Sequence, residues 1–163
     1  MEIRSTVKIA DRQALERVLQ ATGFFNDEEL SVALELVSER LAEGEGSHYR
    51  FLVAEEADRV VGYACWGPIL GTLASVDLYW IAVDPAEQGK GVGKALLEAA
   101  EAQIAGEGRS RVYIETSSRA QYVPTRAFYL RCGYTIVAEL EDFYAPGDGK
   151  VMFLKVLRPS AQA

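Results

Sequence analysis

EQGKGVGKALLEAAE, Glu87 to Glu101, places glycines at 89, 91 and 93 directly ahead of a helix-like run. A helix start carries unpaired N–H groups and a partial positive charge, and an anion, usually phosphate, fits there. Glycines ahead of it let the backbone approach that anion with no Cβ in the way, at an entropic cost that implies a use. Three phosphate-binding patterns compete for the stretch. The Walker pattern G-x-x-x-x-G-K-[ST] is excluded, because Gly93-Lys94 is followed by Ala95 rather than by a hydroxyl for magnesium. The dinucleotide pattern G-x-G-x-x-G fails at its sixth position, which is Lys94 counted from Gly89 and Leu96 counted from Gly91. Only Glu115, at a strand end where a ribose-binding acid is expected, speaks for it. Gln88-Gly89-Lys90-Gly91-Val92-Gly93 does fit the third pattern, Q/R-x-x-G-x-G/A.

The chain around this loop has 163 residues, 49% hydrophobic and 25% charged, the composition of one soluble globular domain expected to span 1–163. No apolar run approaches the ~20 residues of a bilayer span, and MEIRSTVKIA lacks the apolar stretch of a secretory signal. A cytoplasmic protein without a membrane partner is therefore expected. A net charge of -7 argues against nucleic acid as the main partner. It leaves room for a small anion, because a local site can oppose the global charge. Cys65 and Cys132 have neither metal spacing nor a disulfide framework and read as small buried residues, so no metal is expected. His48, the only histidine, reads as a plain surface or half-buried residue at a loop–strand junction.

Working outward, ASVDLYWIAVD before the loop is β-branched and aromatic and reads as a central strand ended by Pro85. The helix after the loop runs from about Gly91 to Ile104, stopped by Gly106 and Gly108. Upstream, EIRSTVKI alternates Ile3, Val7 and Ile9 as a strand. ADRQALERVLQA reads as a short helix. NDEELSVALELVSERLAEG reads as a longer one, with Asn26 and Glu29 as a capping box and Leu30, Ala33, Leu34, Val37 and Leu41 as its apolar stripe. YRFLVAEE and RVVGYACW form a hairpin about Ala57 and Asp58. Downstream, RVYIET is a strand, VPTRAFYLRCG a two-turn helix, and YTIVAELEDFY with KVMFLKVL a closing hairpin across APGDG. The order β-α-α-β-β-β-α-β-α-β-β defines a mixed α/β domain.

The loop, the preceding LYWIAVDPAEQGKG, the segment TRAFYLRCGY and this order of elements together resemble the GCN5-related N-acetyltransferase superfamily. The resemblance covers nearly the whole chain, most firmly Asp77 to Tyr134. It implies one domain built on a mixed central sheet of about seven strands flanked by about four helices. It further implies an acetyl-CoA-dependent N-acetyltransferase that moves an acetyl group to a primary amine by direct attack in a ternary complex. The backbone of Trp80, Ile81, Ala82 and Val83 would pair with the pantetheine arm. Gln88, Gly89, Lys90, Gly91, Val92, Gly93 and Lys94 would cradle the pyrophosphate of CoA.

Tyr129 matches the tyrosine that faces the thioester sulfur in this family. Full proton transfer from a tyrosine of pKa about 10 to a thiolate of pKa about 8.5 is uphill by about 2 kcal/mol, so Tyr129 acts mainly as a hydrogen-bond donor. An alkylammonium of pKa about 10.4 is neutral only about once in 2500 at pH 7, so the amine needs a base. Glu115 at the end of RVYIE is the first candidate and Asp77 at the start of DLYWIAV the second. Phe24, Phe25, Tyr122, Asp142 and Tyr144, with Phe143, are expected around the acceptor, where aromatics beside carboxylates suit a cationic amine. An aminoglycoside, a polyamine, an amino acid and a protein N-terminus all fit that description. Dimerisation is common in the family, and the residues do not fix it. Two other readings compete: a CoA-binding sensor without turnover, and a nucleotide-binding oxidoreductase resting on Glu115.

Overall fold

A computed structural model describes residues 1–158, so the last five residues of the domain expected over 1–163 lie outside the described residues. The elements follow the expected order: β1 (Glu2–Arg4), α1 (Asp11–Thr22), α2 (Asp27–Glu43), β2 (Arg50–Glu56), β3 (Arg59–Pro68), β4 (Ser75–Val83), α3 (Val92–Gly106), β5 (Arg111–Ser117), α4 (Val123–Arg131), β6 (Thr135–Ala145) and β7 (Asp148–Val156). The strands form one seven-stranded mixed sheet in the order β1-β2-β3-β4-β5-β7-β6. No described helix is long and apolar enough to cross a membrane. The described residues pack as two compact units, Met1–Gly67 with Tyr79–Ala102, and Pro68–Leu78 with the described residues from Gln103 onward.

In the first unit, Leu15, Val18 and Leu19 of α1 and Ala33, Leu34 and Val37 of α2 bury themselves against Phe51, Val53, Val60, Tyr63, Cys65 and Ala82. The capping box is present: Glu29 N donates to Asn26 Oδ1 at 2.8 Å and Asn26 N to Glu29 Oε2 at 2.9 Å. The β2–β3 hairpin turns through Ala57 (φ 48°) and Asp58 (φ 62°), the left-handed pair that matches strand twist in a two-residue turn.

One expectation fails here. The strand read through Ile9 stops at Arg4, and Ile9 is exposed. The Arg4 guanidinium grips buried Asp11 through both oxygens, at 2.8 and 2.7 Å, and Glu55 through Nε at 2.9 Å. Asp11 also accepts from Lys8 N at 2.7 Å, which turns the chain into α1 before the alternation can continue.

In the second unit, β4 runs parallel to β5 with Ser75↔Arg111, Val76↔Val112, Asp77↔Tyr113 and Leu78↔Ile114 as its register. The register closes there although β5 goes on to Ser117, and β7 pairs β5 as far as Ser117↔Lys150. β6 lies on the sheet edge, antiparallel to β7, with irregularities between Ile136 and Ala138 and between Leu140 and Ala145.

Candidate active site

The loop lies in the first unit. β4 ends at Val83, a single 3-10 turn spans Pro85–Glu87, and α3 begins at Val92. Gly89 (φ 77°) and Gly91 (φ 85°) are left-handed, and a Cβ built on either would meet no heavy atom within 4 Å. The space over this backbone is open, and with no Cβ atoms a ligand can approach the backbone closely. Ala95 N donates to Gly91 O at 3.0 Å, the first bond of α3, so the N–H groups of residues 92–94 precede the intrahelical ladder. The loop therefore fits a diphosphate group. Gln88 turns back instead, its amide donating to Val83 O at 3.2 Å. Lys90 and Lys94 are engaged by neighbouring carboxylates, Lys90 Nζ by Glu87 Oε2 at 2.8 Å and Lys94 Nζ by Glu98 Oε1 at 3.7 Å.

Ahead of the loop sits an ion-pair network that sequence reasoning missed. Buried Asp84 accepts from Ala86 N through Oδ1 at 3.0 Å and from Arg17 and Arg59 through Oδ2, each at 3.0 Å. Arg59 also reaches Glu87 Oε1 at 2.9 Å. The Ala86 N–H and the two guanidiniums hold the Asp84 carboxyl below its usual pKa. The one legible signal was an Asp before Pro at a strand end, a turn cap.

Of the segment expected to pair with pantetheine, Ala82 is buried and Trp80, Ile81 and Val83 are half-buried. Gly62 of β3 lies close, with a built Cβ only 2.8 Å from Ala82 O. Phe25 meets the Trp80 ring edge-on at 5.1 Å, so this expected acceptor residue packs against the strand, while Phe24 is half-buried.

In the second unit, α4 carries Tyr129 into a buried position, its ring 5.6 Å from Phe153 and 5.9 Å from Tyr134. Burial raises the phenol pKa well above its usual value, and nearby Cys132 adds to the effect. Tyr129 therefore stays protonated at neutral pH, as a donor must. Phe153 faces Ile114 in the sheet register, so Tyr129 lies against the face that carries Val112, Ile114 and Thr116. Thr116 Oγ1 is buried there without a hydrogen-bond partner among the described residues.

Asp77 and Glu115 share the opposite face. Asp77 pairs with Tyr113, and Glu115 is two residues further along the same strand. Tyr129 and the two carboxylates thus approach β5 from opposite sides. Glu115 is not a bare carboxylate, since Lys150 Nζ lies 2.7 Å from its Oε1 and 4.5 Å over the Phe143 ring. Lys150 escaped the sequence reading because the β5–β7 register that brings it there is not written locally.

The remaining expected acceptor residues lie on separate elements of this unit. Tyr122 stacks under the Arg119 guanidinium at 5.7 Å. Asp142 is left-handed at φ 52° and accepts from Gly147 N at 2.7 Å. Phe143 and Tyr144 are exposed and meet edge-on at 5.0 Å. A shallow hollow of about 340 Å³ beside them is lined by Ser118, Glu139, Glu141, Asp142 and Lys150.

With this geometry in view, comparisons with known proteins identify the class. The profile of the acetyltransferase (GNAT) domain matches residues 47–136. The chain belongs to the GNAT acetyltransferase family. It is 41% identical to a solved structure from Desulfovibrio desulfuricans assigned to that family, with a TM-score of 0.94 over 96% of this chain and 99% of that one. It shares its fold with an aminoglycoside 6′-N-acetyltransferase complexed with coenzyme A, at 18% identity and a TM-score of 0.79 over 99% of this chain and 100% of that one. The ribosomal-protein-S18-alanine N-acetyltransferase of Escherichia coli has the same fold, at 20% identity and a TM-score of 0.74 over 99% and 97% of the two chains. Curated protein sequences give no match.

Proposed function

We propose that the protein is an acetyl-CoA-dependent N-acetyltransferase acting on a primary amine of a small molecule or peptide, by direct attack in a ternary complex. The observation that carries this reading is the loop, where two left-handed glycines leave the backbone ahead of α3 bare, in a chain of this family. The solved relative complexed with coenzyme A supports the choice of cosubstrate.

Bound acetyl-CoA supplies a thioester carbonyl as the electrophile and a thiolate as the leaving group. The loop backbone from Gln88 to Lys94 binds the diphosphate, with the partial charge of the α3 N-terminus behind it. The β4 backbone from Trp80 to Val83 orients the pantetheine amides. Tyr129 holds its proton and donates a hydrogen bond to the departing sulfur, and its raised pKa works against full transfer of that proton. Glu115 accepts the amine proton directly or through water at Oε2, since Lys150 holds Oε1, and Asp77 on the same face is the alternative base. Asp142, Phe143 and Tyr144 on the hairpin, with Tyr122 in the same unit, suit a cationic acceptor. Relatives named for an aminoglycoside and for a ribosomal protein bracket the acceptor class as an amine.

The Lys150–Glu115 pair favours one second reading, a CoA-binding sensor with no turnover, in which the carboxylate is a fixed structural partner. Calorimetric titration with CoA, acetyl-CoA and NAD, followed by product analysis with amines, separates the readings. The enzyme binds both CoA species and forms an amide. The sensor binds them and forms none. Preference for NAD refutes both.

A further inference from the structure

We propose that Glu87 is a built-in brake on cosubstrate binding: its carboxylate competes with the diphosphate of CoA for Lys90 and holds the affinity of the loop below what its backbone and a released Lys90 would reach together. The inference rests on the acetyl-CoA reading and goes beyond it, because it assigns a residue that opposes binding.

Glu87 closes the 3-10 turn, and the glycine loop starts two residues later. Its two oxygens are divided between two cations, Oε1 to Arg59 at 2.9 Å and Oε2 to Lys90 at 2.8 Å. The two cations differ in freedom. Arg59 is anchored at its other nitrogen by buried Asp84, which Arg17 also holds, so the Arg59 side of the carboxylate is fixed. Lys90 has no such second anchor among the described residues, its side chain is 62% exposed against 16% for Glu87, and it stands between two left-handed glycines. Lys90 is the member that can move. When a diphosphate reaches the loop, the lysine must leave Glu87 or share itself, and the carboxylate remains as a fixed negative charge in the same turn.

The charges in the network are Asp84 and Glu87 against Arg17, Arg59 and Lys90, so the cluster is only weakly positive, and it would double its excess without Glu87. A loop selected for tight anion capture has no use for that carboxylate. A loop that must release CoA after each transfer does, because CoA is the product that keeps the diphosphate. Glu87 is a tuning residue on binding and takes no part in bond making.

The test is calorimetric titration of Glu87→Gln with CoA, with 3′-dephospho-CoA, which keeps the diphosphate, and with pantetheine, which lacks it. A brake predicts roughly three- to tenfold tighter binding of both diphosphate ligands at low salt, a gain that shrinks as salt is raised, and no change for pantetheine. A purely structural Glu87 predicts the opposite sign, weaker binding of all three. Glu98→Gln, which makes the same charge change at the exposed Lys94 pair, leaves affinity within about twofold. If Glu87→Gln fails to fold, Glu87→Asp keeps the charge but shortens its reach to Lys90, and a smaller tightening is expected. In a Lys90→Gln background most of the gain from Glu87→Gln disappears; an undiminished gain overturns the role assigned to Lys90. Unchanged or weaker CoA binding by the Glu87 variants overturns the inference. A wild-type protein that binds no CoA at all overturns the acetyl-CoA reading instead.

Discussion

At the loop from Gln88 to Lys94, the groups we propose for ligand binding are backbone atoms, and the side chains ahead of them are locked: Asp84 is buried and shared by Arg17 and Arg59, and Arg59 fixes Glu87. At the tip of the β6–β7 hairpin, the candidate ligand groups are side chains. Phe143 and Tyr144 are about half exposed, and Asp142 sits in a left-handed conformation secured by one bond to Gly147 N. The first region suits a ligand that does not vary, the diphosphate of a cosubstrate. The second suits an acceptor that differs between relatives, since exposed side chains on an edge strand can change without disturbing a core.

The strongest way to break this comparison is at the chemistry itself. Tyr129→Phe is expected to lower kcat about 100-fold, the scale of one lost transition-state donor, while leaving the affinity for CoA nearly unchanged. Steady-state kinetics beside calorimetry checks both halves, and equal turnover removes Tyr129 from the mechanism. Next, Gly91→Val forces a β-branched residue to φ 85°, where strain of order 1–3 kcal/mol and a new Cβ over the loop act together. CoA affinity is expected to fall at least ~10-fold with the acceptor KM unchanged. The mirror test at the hairpin is Asp142→Asn, which keeps an acceptor for Gly147 N and removes the charge. The KM for a cationic amine rises about 5-fold, and CoA affinity stays as it was.

The smallest effect concerns acid stability. The Asp84 carboxyl is held below its ordinary pKa, first by the Ala86 N–H and then by the arginines, so its contribution is present above the unfolded value of about 3.9 and is lost as pH falls through the folded one. Asp84→Asn is therefore less stable near neutrality and loses less on acidification. Chemical denaturation at pH 7 and pH 3 reads the difference.

Much of this was legible in the sequence. Glycine spacing, the capping box at Asn26 and Glu29, and the turn at Ala57 and Asp58 are local signals, and each sits where its residues place it. Tyr129 entered through the resemblance, and the structure adds that it is buried and held protonated. What stayed illegible depends on long-range partners. Arg17 is 67 residues from Asp84 and Arg59 is 28 from Glu87, so beyond the Asp ahead of Pro85 the loop's support has no local signature. At the end of β1 the Lys8–Asp11 turn is local, but the Arg4–Glu55 contact beside it joins residues 51 apart. The Lys150 pairing with Glu115 follows from strand register, which no single stretch encodes.

Thiol release from acetyl-CoA, measured with pooled polyamines, amino acids, aminoglycosides and short peptides, tests the central claim most directly. The account predicts release that depends on the protein with at least one pool, together with an acetylated amine and a large loss in Tyr129→Phe. Silence across every pool, from a protein that still binds CoA, would contradict the enzyme and leave the sensor.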